Sequence, residues 1–229
     1  MNGQKTNFAT PLAIVVAGAL IAVALYFALG SGGSTTSNVV DAGPSVPIAG
    51  VQVDDHIKGN PDAKVVIVEY SDTECPFCKQ FHATLNQIVE KYDASEVAWV
   101  YRNFPIAQLH AKAFKQAEAL ECAAELGGND AFWVYTDRLY ELTPSNDGLD
   151  MNELPNIAEY AGLDRAAFQQ CLDSGAMAER VEADYNEVVA SGGRGTPHNI
   201  ILFNGEQYPV EGAQPLSVME QIIDQLLAQ

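Results

Sequence analysis

Two cysteines separated by two residues, in Cys75-Pro76-Phe77-Cys78, are the part of this chain whose spacing points most directly to chemistry. Such a pair can form a redox centre, a structural link or half of a zinc site. Zinc needs two further ligands at characteristic spacing. The remaining cysteines, Cys122 and Cys171, each stand alone inside a helical pattern, so neither a metal nor a cofactor is expected. The flanks favour redox chemistry. A β-branched run, Ala63 to Tyr70, reads as a buried strand; Pro76 to Tyr92 reads as a helix with Phe81, Leu85, Ile88 and Val89 on one face. Cys75 then sits at the mouth of that helix, where free N–H groups and the macrodipole favour thiolate over thiol. In such motifs the thiol pKa falls from about 8.5 to between about 3.5 and 7.5, roughly 1.4–7 kcal/mol of preference for the anion. Pro76 fixes the first helical turn without removing a needed donor. Cys78 lies on the same side of that turn and can attack a mixed disulfide at Cys75. Cys75 is thus the expected nucleophile and Cys78 the buried resolving thiol.

Glu69 interrupts the strand six residues before Cys75. A carboxyl in a buried strand needs a reason. It can relay a proton for Cys78, or sit at an edge with its carboxylate in water. Thr196-Pro197 precedes a later strand, and a proline there cannot donate to a ladder, which suggests a special turn with a candidate cis bond. His82, four residues after Cys78, is expected as a solvated helix residue, and His110 as a surface or capping residue.

The elements that must hold these residues can be read along the chain. Glu96 to Arg102 is a second strand. From Leu109 to Ala190 the pattern is helical, with a stop at Gly127-Gly128 and further segments Met151–Ala161, Asp164–Ser174 and Met177–Ala190. His198–Phe203 and Gln207–Glu211 flank Asn204-Gly205, a hairpin turn signal, and Pro215–Ala228 closes with a helix. A βαβ unit, a helical insertion of about residues 106–191 and a ββα unit make an α/β thioredoxin arrangement. GGRGTP lacks the GK[ST] ending of a phosphate loop, and no strand precedes it.

The 229 residues carry a net charge of −18, which disfavours nucleic acid as a partner. Pro11 to Leu29 is uncharged and apolar, about 28 Å long as a helix against a bilayer core of about 30 Å. With Lys5 before it, the positive-inside rule puts the N-terminus in the cytoplasm and the rest outside. A cleaved signal peptide is the rival reading. The expected organisation is 1–30 cytoplasmic tip and anchor, 31–50 a flexible Gly/Ser-rich tether, and 51–229 one extracytoplasmic domain at the cell membrane.

VVIVEYSDTECPFCKQF, the GTP before HNIILFNG and the all-helical middle together resemble the DsbA-like branch of the thioredoxin superfamily, over about Gln52 to Gln229. The resemblance implies a redox-active Cys75–Cys78 pair faced by a cis-Pro197, with Pro76, Phe77 and Thr196 shaping the site and Glu69 as the family's acidic residue. It implies a protein disulfide oxidoreductase acting on reduced secreted proteins and reoxidised by a membrane redox partner. A reductase or isomerase of the same fold, or a binding or chaperone module with a structural CPFC, are the alternatives. His198 follows the proline where Thr or an apolar residue is expected; it either approaches the sulfurs or faces solvent. Outside the cytoplasm Cys122 and Cys171 would usually pair. The resemblance supports a structural disulfide between them, with an electron relay or two unpaired thiols left open.

Overall fold

The computed structural model describes residues 47–229. The expected membrane anchor, Pro11 to Leu29, and most of the tether lie outside the described residues. Among the described residues no helix is long and apolar enough to cross a membrane.

Strand β2 (Val65–Ser71) is buried along its whole length. A β-branched run of this kind needs cover on both faces, and it occupies the centre of a five-stranded sheet. Its neighbours are β3 (Val97–Asn103), which runs parallel, and β4 (His198–Phe203), which runs antiparallel. The edges are β1 (His56–Lys58) and β5 (Glu206–Glu211), giving the order β1-β3-β2-β4-β5. The three-residue β1 lies inside a stretch that the sequence marks only as a lead-in to the fold. Asn204 and Gly205 take positive φ of 50° and 80°, closing the β4–β5 hairpin in the register Phe203↔Glu206. Pro209 falls on the edge strand β5, where a missing donor is tolerated.

Side chains alternate across β2. Val65, Ile67, Glu69 and Ser71 face one way; Val66, Val68 and Tyr70 face the other. The first face packs against α1 (Pro76–Lys91), α6 (Leu216–Leu227) and the helical insertion. In α1 the buried Cys78, Phe81, His82, Leu85 and Ile88 recur at helical spacing, and the stripe covers the sheet. The opposite face is covered by α5 (Ala178–Ala190) and by Ile48. Ile48 exchanges backbone bonds with the Gln207 amide at 3.0 and 2.8 Å, and the Ala49 N–H donates to Glu187 at 2.8 Å. The last residues of the expected tether therefore belong to the fold.

The insertion contains α2 (Ala113–Leu142), a one-turn 3-10 helix, α3 (Leu154–Tyr160) and α4 (Arg165–Ser174). The expected stop at Gly127-Gly128 is a break within α2. Gly128 has φ 73° and ψ −168°, and the helix resumes beyond it in a new direction. A Cβ on Gly127 would come within 2.4 Å of the Ala131 Cβ, so only glycine fits the close turn. Cys122 of α2 and Cys171 of α4 are joined by a disulfide, which closes the relay and free-thiol alternatives.

Candidate active site

Cys75 is the N-cap residue of α1, and Pro76 occupies the first turn. The Cys75 N–H donates to the Asp72 carbonyl at 3.0 Å, and its own carbonyl accepts from Lys79 N–H at 3.1 Å. Its backbone is thereby held while its side chain stays at the rim. The Cys75 Sγ lies 3.5 Å from the Thr196 carbonyl, and the Thr196–Pro197 bond is cis. Both thiols are free; Cys75 is 5% exposed and Cys78 is wholly buried. Phe77, between them, projects into solvent at 62% exposure.

The two thiols of one turn are pushed in opposite directions. Cys75 is lowered from 9.0 to about 6. The chief cause is the hydrogen bond from Cys78; burial opposes it, and the Thr196 side chain and the N–H groups of Cys78 and Phe77 assist. Cys78 is raised well above the usual thiol range, first by burial and then by the bond to Cys75 and the negative charges of Cys75 and Glu69. At pH 7 the site therefore presents one thiolate and one thiol.

Glu69 lies on the central strand and is fully buried, which excludes the solvated edge reading. Its carboxyl receives the Ser71 hydroxyl at 2.8 Å and the Trp99 indole N–H at 3.1 Å. Neither partner is a cation. Burial pushes its pKa from 4.5 to about 8, against the pull of those two bonds.

Asp72 carries the loop between β2 and α1. Its carboxylate accepts from the N–H groups of Glu74 and Ile106, both at 2.8 Å, and from His110 Nδ1 at 3.0 Å. Its own N–H donates to Cys78 Sγ at 3.4 Å. His110 is thus no surface or capping residue: it is 7% exposed and paired with a buried carboxylate. Burial disfavours its cation, but the bond and charge of Asp72 outweigh that, with Cys75 and Asp147 adding, so its pKa is raised.

His82 also departs from its expected solvated position. It is 4% exposed, its ring lies 4.5 Å from Tyr140 and 5.0 Å from Trp99, and Nε2 meets Asp137 at 2.6 Å. Burial lowers its pKa despite Asp137. His198 pairs across the sheet with Tyr70, so it shares the face turned away from the thiols. Its pKa is lowered by burial, with Glu211 opposing. It is therefore no cation on the sulfurs.

Several residues at the site carry no motif. Ser71, Trp99, Tyr101 and Tyr140 line the pocket around Glu69 and Cys78. Gln116 and Thr143 bond the buried Glu74 carboxylate, the residue before the nucleophile. Ser71 was legible in principle, because period-two alternation places it on the face of Glu69.

A strand–helix junction with a buried acid behind it and a cis-proline before it has known counterparts. A family model described as Thioredoxin matches residues 51–225, three quarters of the chain. The chain belongs to the thioredoxin family. Among solved structures, this thioredoxin-family chain is similar to Pseudomonas aeruginosa DsbA2, at 27% identity and TM-score 0.64 over 77% of this chain and 96% of that one. Wolbachia pipientis alpha-DsbA1 (22%, TM-score 0.67, 78% and 93%) and oxidised BdbD from Bacillus subtilis (22%, TM-score 0.66, 76% and 94%) share the fold. Among curated proteins it is similar to the Na(+)/H(+) antiporter NhaA 1 of Mycolicibacterium gilvum, at 32% identity over 72% of this chain and 26% of that protein. It is 35% identical to NhaA 3 of Salinispora tropica over 67% of this chain and 22% of that protein. The chain spans about a quarter of the length of these relatives.

Proposed function

We propose that this thioredoxin-family chain is an extracytoplasmic thiol–disulfide oxidoreductase of DsbA type that introduces disulfides into secreted or surface proteins. The observation that carries the reading is the opposite displacement of the two thiols in one helical turn, Cys75 down to about 6 and Cys78 upward. A structural link has no use for that asymmetry, whereas thiol exchange needs one good leaving group and one protected partner. In the first step a substrate thiolate attacks the oxidised Cys75–Cys78 bridge. A bond forms between the substrate sulfur and Cys75 Sγ, and Cys78 departs as a thiolate that takes a proton from Glu69. In the second, the substrate's other thiolate attacks its own sulfur in the mixed disulfide and expels the Cys75 thiolate. The substrate is then bridged, and the pair holds two electrons for a membrane redox partner to remove. Thr196, whose carbonyl lies 3.5 Å from Cys75 Sγ, and cis-Pro197 are proposed to hold an extended substrate segment beside the nucleophile. The Pro11–Leu29 segment is proposed as the membrane anchor.

One observation favours a reductase of the same fold as a second reading. A Cys75 pKa of about 6 lies nearer thioredoxin's value of about 7 than DsbA's of about 3.5. Equilibration of the full chain with glutathione separates the two. A potential near −120 to −180 mV supports the oxidase, and one near about −270 mV the reductase. Cys75→Ser is expected to abolish exchange and Cys78→Ser to trap mixed disulfides. Normal turnover by both variants would refute either reading.

A further inference from the structure

The sulfur released when the bridge opens is Cys78 Sγ, and a backbone donor already stands on it. The Asp72 N–H donates to Cys78 Sγ at 3.4 Å. That sulfur is wholly buried, so solvent does not take the donor's place. The same residue also holds the nucleophile, because its carbonyl accepts the Cys75 N–H at 3.0 Å. One residue of the loop between β2 and α1 is thus bonded to both cysteines.

The Asp72 carboxylate fixes the direction of that N–H. It is buried and meets donors from separate segments. Oδ1 accepts the Glu74 N–H at 2.8 Å, which closes a turn onto the residue two further on. Oδ2 accepts the Ile106 N–H at 2.8 Å and His110 Nδ1 at 3.0 Å, both from the connection between β3 and α2. The Tyr140 hydroxyl of α2 reaches the Asp72 carbonyl at 3.4 Å. A residue held from its own turn, from the next loop and from α2 has little freedom to swing its N–H off the sulfur.

The donor counts most while the sulfur is charged. In the bridge and in the resting thiol Cys78 Sγ is neutral, and neutral sulfur is a weak acceptor. Between those two states it carries a negative charge, and a charge-assisted bond is roughly twice as strong as a neutral one. A donor set in advance where charge appears lowers the barrier without favouring either stable state.

We propose that the Asp72 N–H is the donor that receives Cys78 Sγ as a thiolate whenever the bridge opens or closes, and that the Asp72 carboxylate, clamped by His110, positions it. On opening, a substrate thiolate bonds to Cys75 Sγ and the Cys75–Cys78 bond breaks. Its electron pair stays on Cys78 Sγ, so the negative charge passes from the substrate sulfur to a sulfur already facing the N–H. On closure the Cys78 thiolate bonds to Cys75 Sγ, and the pair of the broken bond leaves with the substrate sulfur.

This inference rests on the proposed exchange reaction, with Cys75 as the attacked sulfur. Oxidised full-length protein is mixed with glutathione at about pH 6, below the ordinary histidine value, where His110 is a cation and its pair with Asp72 has no net charge. Acid quenching at intervals separates the bridged, glutathione-bound and reduced forms. Their time course gives the rates of opening and closure, and their final ratio gives the equilibrium. Asp72→Ala frees the loop and is expected to slow opening and closure by the same factor, about 10-fold. Asp72→Asn keeps an oxygen for the Glu74 N–H and should slow both about 3-fold. In each variant the equilibrium should stay within about 2-fold of the wild type, because Cys78 is neutral in both stable forms and a buried His110 without its carboxylate gives up its charge. A merely structural role would shift the equilibrium instead.

Wild-type rates in the two variants would overturn the proposal. So would slowing in one direction with a matching shift of the equilibrium, since Asp72 would then act on a stable state. If the alanine variant does not fold, wild-type rates in Asp72→Asn alone overturn it. Peptide mapping that finds glutathione on Cys78 of the wild type would instead overturn the reading of Cys75 as the attacked sulfur, and the proposal with it.

Discussion

The two faces of the central sheet each bury an ionisable side chain, and they treat it in opposite ways. On the face turned from the thiols, Arg102 is 2% exposed and surrounded by acceptors. Asp55 takes its Nε and Nη2, both at 2.8 Å, and Glu187 takes Nη1 at 2.9 Å. The Tyr70 hydroxyl and the carbonyls of Ala49 and Gly50 complete the set. On the other face Glu69 has, among the described residues, two neutral donors and no cation. A buried charge that is neutralised and fully bonded becomes a staple. One given hydrogen bonds but no counter-charge keeps its proton near neutrality and becomes reactive. Arg102 ties the chain entering the fold to β3 and α5; Glu69 holds a proton for exchange.

Removing each charge should therefore move stability in opposite directions. Arg102→Leu leaves Asp55, whose side chain is 1% exposed, without its bidentate partner and, among the described residues, with only the Gln52 N–H at 2.7 Å and Arg180 at 4.0 Å. A loss of about 3–5 kcal/mol is expected, read as a lowered denaturant midpoint. If the variant is as stable as the wild type, the staple reading fails.

Glu69→Gln is the counterpart. The folded pKa is raised from 4.5 to about 8, so the native state binds more protons than the unfolded chain between those values. Stability from this group is full below about pH 4.5 and declines as pH rises towards 8. At pH 7 the decline amounts to roughly 3 kcal/mol. Glutamine cannot ionise, so the variant should be more stable than the wild type at pH 8 and similar to it at pH 4.5. Resolution by Cys78 should nevertheless slow. A variant that is equally stable and equally fast would place the carboxyl in water, contrary to its burial.

Much of this contrast was readable from residue types. The CPFC motif, the strand run before it and an acid in that run locate the reactive centre, because each depends on local pattern. The partners that give the contrast its sign come from far along the chain. Tyr140 meets Ser71 across 69 residues, and Glu187 meets Arg102 across 85. No periodicity reports such pairs. The three residues of β1 are too few to alternate visibly. His82 adjoins the apolar stripe of Phe81, Leu85 and Ile88, and it is buried only because Trp99 and Tyr140 from other elements widen the covered face. In the sequence His110 reads as a surface or capping residue because the acceptor that buries it, Asp72, lies 38 residues earlier.

Reduced Cys75 supplies a smaller test on the reactive face. Its pKa falls from 9.0 to about 6, so the stability it contributes is fully present above about pH 9 and lost as pH drops through 6. At pH 7 the thiolate contributes about 1.4 kcal/mol to the reduced form, equivalent to about 30 mV. Thiolate absorbance of reduced protein should show a midpoint near 6, absent in Cys75→Ser. A midpoint above 8 would leave the two thiols alike and remove the asymmetry on which exchange depends.

Asp72 and His110 lie between the two extremes, since this buried carboxylate has a partner that can lose its charge. The folded pKa of His110 is raised, so its contribution is fully present below about 6.5, the ordinary histidine value, and lost as pH climbs through the folded value. His110→Gln keeps a donor for Asp72 but removes the titrating cation. The expected cost is about 1 kcal/mol at pH 6 and less at pH 8, measured as denaturant midpoints at the two values. Asp72 also receives two backbone N–H groups, so it keeps two donors without the cation, whereas Asp55 without Arg102 keeps one backbone donor, the Gln52 N–H at 2.7 Å. If the glutamine variant instead lost as much as Arg102→Leu, partial neutralisation would be no intermediate case. Backbone donors would then count for little against a formal counter-charge, and the reactivity of Glu69 would need a cause other than its missing cation.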